Sequence, residues 1–310
     1  GAFARDSYLD EVEIPDSVVR IWPGAFEDCS WMQTISVGRG VERVGSRAFA
    51  GCTKLARIRF EDGLTEIGDC AFSNCWRMMS ASLPLSVANV ATTAFKDCDS
   101  LTGVNVPTSI APLSQWFAPV YRQIRDVTIP SGETLVCSNM FKGCSSLVSV
   151  DIPEGVTNIG DRAFEDCVNL PSVELPSSLQ SVGESAFRNC DALMAIGLPD
   201  AVSSIGTYAF YDCYRLKDVS LSKNLESLPD HVFDACPQLD SIYVPASVTQ
   251  LGGHIFGGAM SAVYFIGNAP AYHADVYAST GYGLVTYVKY GTKGWDGRPN
   301  SRDLPQKWPT

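Results

Sequence analysis

The chain holds 310 residues, 45% of them hydrophobic, with 34 acidic against 23 basic side chains and a formal net charge of −11. That apolar share supports a sizeable core and excludes a disordered chain. The acidity argues against nucleic acid and against anionic membrane surfaces, both of which want a basic face, and no apolar run approaches the roughly 20 residues of a membrane-spanning helix.

From the N-terminus onward one phrase returns: "GSRAFAGCTKL" at 45, "GDRAFEDCVNL" at 160, "GESAFRNCDAL" at 183 and "GTYAFYDCYRL" at 206. Its phenylalanine stands at 3, 26, 49, 72, 95, 141, 164, 187, 210, 233 and 256, at intervals of 23 except for one of 46. Such a fixed period marks stacked structural repeats. About eleven units follow a truncated first one, through residue 262.

Within a unit, Leu170-x-x-Val173-x-Leu175 alternates apolar with polar residues, which predicts a short strand with one buried face. Proline then ends the strand (Pro84, Pro107, Pro130, Pro153, Pro176, Pro199). A turn of the Glu154-Gly155 kind follows, then a second apolar pair, Val156 and Ile159, and a frequent glycine. Ala163, Phe164 and Cys167 lie within one helical turn and can point inward together. The residue before the cysteine is Asp, Asn or Gly in eight units (Asp28, Gly51, Asn74, Asp97, Gly143, Asp166, Asn189, Asp212), which predicts a left-handed exit there.

One unit, 110–132, is degenerate. It reads "SQWFAPVYRQI" with Phe117 one place early, and one aromatic of Trp116, Phe117 and Tyr121 is expected to fill the missing slot. The others, with Arg122, would be displaced outward as a possible binding point. The outward slots of the strands offer a broader face with Arg57, Arg59, Asp126, Asp151, Glu174, Asp218 and Tyr243 as candidate ligand contacts. That face is small, polar and mildly acidic with a basic pair near its start. Beyond 262, residues 263–310 carry Tyr264, Tyr272, Tyr277, Tyr282, Tyr287, Tyr290, Trp295 and Trp308, expected mostly as the core of a cap on the last turn. Exposed rings that stack on sugars are the alternative.

The unit, above all "LPSSLQSVGESAFRNCDAL" (175–193), resembles the 23-residue, treponemal or BspA-like type of leucine-rich repeat. The resemblance implies an α/β repeat solenoid: a right-handed arc with a parallel sheet on its concave side, short strands and 3-10 turns on the convex side, and a C-terminal cap. It further implies a bacterial cell-surface or secreted protein, its leader removed ahead of residue 1. Such a protein would adhere to a host surface or matrix protein or to a neighbouring bacterial cell. A glycan-binding module and a structural spacer within a larger surface protein are the alternatives.

Nine of the 11 cysteines share one slot. Residues in one slot of a stack point the same way about 4.8 Å apart, whereas a disulfide needs Cβ atoms near 3.8 Å and facing. A buried ladder of free thiols is therefore expected, with Cys70 and Cys137 outside it and Cys70 the more exposed. His231 and His254 share a slot in consecutive turns and should stack, but no third ligand stands at matching phase. No metal, no cofactor and no catalytic residues are expected, and the chain reads as a non-enzyme.

Overall fold

The computed structural model describes residues 2–108, 111–257, 259–280, 284–289 and 291–295, and the backbone of 301–303. The chain divides into two compact units. Unit 1 is Gly1–Glu133 with Cys144–Asp151, and unit 2 is Thr134–Gly143 with Ile152–Thr310. Each is a parallel-strand solenoid, as the repeat predicts.

In unit 1, Glu11–Ile14 pairs with Thr34–Val37, and Arg57–Arg59, Ser80–Ser82, Gly103–Asn105, Asp126–Thr128 and Ser149–Asp151 form a five-stranded parallel sheet. Two-residue strands make a second ladder: Arg20–Ile21, Arg43–Val44, Glu66–Ile67 and Asn89–Val90. Partners lie 23 residues apart, as in Arg57 opposite Ser80. Unit 2 repeats the plan. One sheet there holds Ser241–Val244, Ala262–Phe265, Val285–Val288 and Ser301–Asp303, so parallel pairing continues past residue 262.

The third side of each turn is not a helix. Backbone N–H groups alternate between the same turn and the next one: Cys52 N–H donates to Phe49 O at 3.2 Å, while Phe49 N–H donates to Ala71 O at 2.7 Å. This alternation needs left-handed residues at regular intervals. All eight predicted exit positions have positive φ, and Ala235 joins them. A second left-handed slot, two before the phenylalanine, escaped the sequence reading: Arg47, Cys70, Arg162, Ser185, Tyr208, His231 and His254 occupy it. Among the described residues the one α-helix is Leu113–Trp116.

Glycine after the second apolar pair has a steric cause. A Cβ on Gly183 would stand 2.6 Å from the Asp161 N of the previous turn, and one on Gly206 would stand 2.3 Å from Glu184 N. Only a missing side chain lets successive backbones approach this closely.

The core is columnar. Phenylalanines stack ring on ring, at 5.2–5.3 Å from Phe3 to Phe95 in unit 1 and at 5.0–5.6 Å from Phe141 to Phe233 in unit 2. Beside them runs the cysteine ladder. All 11 cysteines are free, and the nine in the shared slot are buried. Their sulfurs are used: Cys29, Cys52, Cys75 and Cys98 in unit 1, and Cys167, Cys190, Cys213 and Cys236 in unit 2, each donate to the phenylalanine carbonyl 26 residues earlier, at 3.0–3.3 Å. Burial pushes the Cys52 and Cys144 thiols up to about 12, so these two are protonated and unreactive at neutral pH.

One predicted strand does not form. Residues 172–174, with Glu174, lack strand pairing. The cause is Pro171, which fills the slot from which Arg125 and Val148 donate to the turn before them; proline has no N–H to give.

Candidate functional site

The three- and four-residue strands of each unit carry the outward slots, and the unpaired 172–174 carries Glu174 in the same repeat position. Arg57, Arg59, Asp126 and Asp151 are exposed on unit 1, and Glu174, Asp218 and Tyr243 on unit 2. Asp151 lies opposite Thr128, and Asp126 lies opposite Ser149, so the two carboxylates are not paired. Arg59 is spent on Glu61 at 3.5 Å.

In the degenerate turn Phe117 fills the vacant core slot, buried and stacked on Phe95 at 4.6 Å. Trp116, expected to be free to face outward, is only 1% exposed, because the short helix turns it into the core. Tyr121 and Arg122 do reach the surface, with Arg122 Nε donating to Tyr121 Oη at 3.0 Å. Gln123, not singled out from sequence, ties the irregular turn down through bonds to Cys98 O at 2.8 Å and Leu101 O at 3.2 Å.

The most organised feature of the sheet face is a column of three tyrosines in unit 2. Tyr243, Tyr264 and Tyr287 are register partners on adjacent parallel strands. Their rings stack at 4.6 and 4.9 Å with interplanar angles of 13° and 9°. Tyr243 is 42% exposed and the other two are half-buried. Burial, with the neighbouring phenols and Asp240 adding to it, raises the Tyr264 phenol, which stays a neutral hydroxyl. The geometry has a chemical consequence. Both faces of Tyr264 are covered by other rings, so what it offers is an edge and a hydroxyl, with no open face for a sugar to stack on.

Sequence reasoning placed Tyr264 and Tyr287 in the cap core. The structure puts them on the sheet face, because the turn from Tyr243 to Tyr264 has 21 residues and shifts them into the outward slot. Tyr277 and Trp295 do serve the core: Tyr277 continues the phenylalanine column from Phe256 at 5.6 Å, and Trp295 packs on Phe265 at 4.8 Å. Tyr272 is exposed. Tyr282, Tyr290 and Trp308 lie outside the described residues.

Unit 1 also exposes tryptophans, which the sequence reading passed over. Trp22, Trp31 and Trp76 are each more than half exposed. Arg20 lies over Trp22 at 5.2 Å, and Lys54 Nζ lies 3.1 Å above the Trp31 ring. Lys54 and Arg77 also line a shallow hollow with Thr34 and Met79.

Phase alone did not reveal one neighbour of the stacked histidines in unit 2: Asp234 lies three residues after His231, in a different slot, and its Oδ2 is 3.0 Å from His231 Nδ1. No helix of the described residues is long and apolar enough to cross a membrane.

Comparison with known proteins agrees with the fold. The family profile described as BspA type leucine rich repeat region matches residues 1–118 and 134–262, in six copies. A leucine-rich repeat protein from Bacteroides ovatus is 23% identical with a TM-score of 0.56, over 98% of this chain and 86% of its own. A leucine rich repeat protein from Treponema pallidum is 26% identical over 60% of this chain and 72% of its own, TM-score 0.40. A leucine rich cell surface protein from Faecalibacterium prausnitzii is 21% identical over 87% and 90%, TM-score 0.32. Among curated proteins no sequence matches.

Proposed function

The chain belongs to the BspA-type leucine-rich repeat family, and from that premise we propose that it is a non-enzymatic recognition module of a bacterial cell-surface or secreted protein. It binds a partner protein, on a host surface or a neighbouring cell, through the sheet face of unit 2. The observation that carries this reading is the tyrosine column. Binding hot spots are enriched in Tyr, Trp and Arg that present area at low entropic cost. Three pre-stacked rings have already lost their rotamer freedom, so a partner orders little on docking. In this reading residues 1–262 are the repeat array, and 263–310 close it while extending the face by Tyr264 and Tyr287.

The test is a pull-down with the purified chain from host mucosal extract and from whole bacterial cells, at low and physiological salt, beside the Tyr243→Ser/Tyr264→Ser/Tyr287→Ser variant. One dominant protein held by the wild type at physiological salt and lost by the variant supports the reading. Equal retention by both refutes the tyrosine face. Nothing retained by either turns the reading toward a spacer.

A glycan partner is the second reading, and it rests on the exposed tryptophans of unit 1. Cations already lie over Trp22 and Trp31, which leaves Trp76 as the ring for a sugar face. Soluble sugar that releases bound material, together with loss of binding in Trp76→Ala, would favour it.

A further inference from the structure

All three histidines of the chain fall in consecutive turns of unit 2. His231 and His254 hold the second left-handed slot, with φ of 55° and 53°. Their backbones are tied to the following turns: His231 N–H donates to Gly253 O at 3.0 Å, and His254 N–H to Asp275 O at 2.9 Å. The two imidazoles stack at 4.7 Å with planes 10° apart, and Tyr208 covers the other side of His231 at 4.6 Å. Asp234 is fixed from both ends, its Oδ1 accepting the Ala235 N–H at 2.9 Å while Oδ2 meets His231 Nδ1. His254 Nδ1 lies 2.9 Å from Ser279 Oγ. One ligand atom from each of His231, Asp234 and His254 lies within 4.8 Å of the other two, and all three side chains are half-buried.

We propose that His231, Asp234 and His254 form a binding site for a divalent transition-metal ion of the zinc class. Two imidazoles and one carboxylate are the borderline nitrogen–oxygen set that such ions take. Calcium and magnesium need more oxygen ligands than this corner offers. Bonds of about 2.0–2.1 Å place tetrahedral ligand atoms about 3.3 Å apart, so the site must contract. The backbones are held by the bonds above. The contraction therefore comes from turning the imidazoles about Cβ–Cγ, which opens the ring stack and exchanges the His231–Asp234 hydrogen bond for coordination. The fourth position is left to water or to a partner's side chain. This site lies on the left-handed outer slot and not on the sheet face, so it stands independently of the tyrosine reading.

The test is titration of the chelator-treated full chain with zinc by calorimetry and with cobalt(II) by visible absorption. About one equivalent should bind, with a d–d spectrum that lacks the intense near-ultraviolet band of a thiolate ligand. His231→Asn and His254→Asn keep a residue that tolerates left-handed backbone, and each should weaken binding at least tenfold with an unchanged metal-free melting temperature. His273→Asn should bind as the wild type does. No saturable binding overturns the proposal. So does binding that survives both His231→Asn and His254→Asn, loss confined to His273→Asn, or a strong sulfur-to-cobalt band, which would assign the metal to the free cysteines.

Discussion

The phenylalanine column and the tyrosine column of unit 2 are built by the same rule and used in opposite ways. Both place one ring per turn in one slot, nearly parallel and about 5 Å from the next. From Phe141 to Phe256 the rings are fully buried, while Tyr243 is 42% exposed. Stacking is thus a product of the pitch and says nothing about purpose. The slot decides: an inward column holds the turns together, and an outward column leaves ring edges and hydroxyls at the surface.

Breaking the inward column should have the largest effect. Phe187→Ala removes a ring held between Phe164 and Phe210 and should cost about 3–5 kcal/mol, read as a drop in denaturation midpoint. Gly183→Ala attacks the spacing that makes both columns possible. Its Cβ would meet the Asp161 backbone, and overpacking of this kind costs about 1–3 kcal/mol; a neutral outcome would mean that the pitch is softer than the rings suggest.

The cysteines beside the inward column give a pH test. Burial raises Cys52 and Cys144 from 9.0 to about 12. A raised folded value means full stability below the unfolded thiol's pKa and a loss as pH rises between 9 and 12. The slope is about 1.4 kcal/mol per pH unit for each such thiol. Denaturation midpoints that hold constant above pH 9 would contradict burial of the ladder.

The smallest stability effect should come from the outward column. Tyr264→Ala should cost less than about 1 kcal/mol, since the ring is half-exposed, yet weaken a captured partner about 30-fold or more, the mark of a hot-spot residue. A stability loss as large as that of Phe187→Ala would erase the distinction between the columns.

Much of this was legible in the sequence, because a solenoid turns period directly into contact. The 23-residue interval located the phenylalanine column of the core, and the Asp, Asn or Gly before eight of the nine ladder cysteines located the left-handed exits. What could not be read has local causes. Pro171 removes one N–H and with it the pairing of 172–174. The 21-residue turn before Tyr264 moves two tyrosines from presumed cap to face. Trp116 turns inward on a four-residue helix that no period announces. Asp234 meets the stacked histidines from a neighbouring slot, which the period along one slot does not show. The tyrosine column was nevertheless within reach: Tyr243, Tyr264 and Tyr287 could have been aligned by allowing one shortened repeat.

The sulfur-to-carbonyl bonds run in a single direction, each cysteine reaching back 26 residues to the phenylalanine of the turn before. Each turn from Phe26 to Phe72 in unit 1 and from Phe164 to Phe210 in unit 2 therefore gives one such bond and receives one. Deleting or duplicating a whole 23-residue segment leaves that exchange intact at the new junction, with no donor stranded and no novel partner required. Copy number is in this sense a free variable of the architecture: the array can lengthen or shorten by recombination between near-identical turns, and the tyrosine column of the last strands is carried along unchanged.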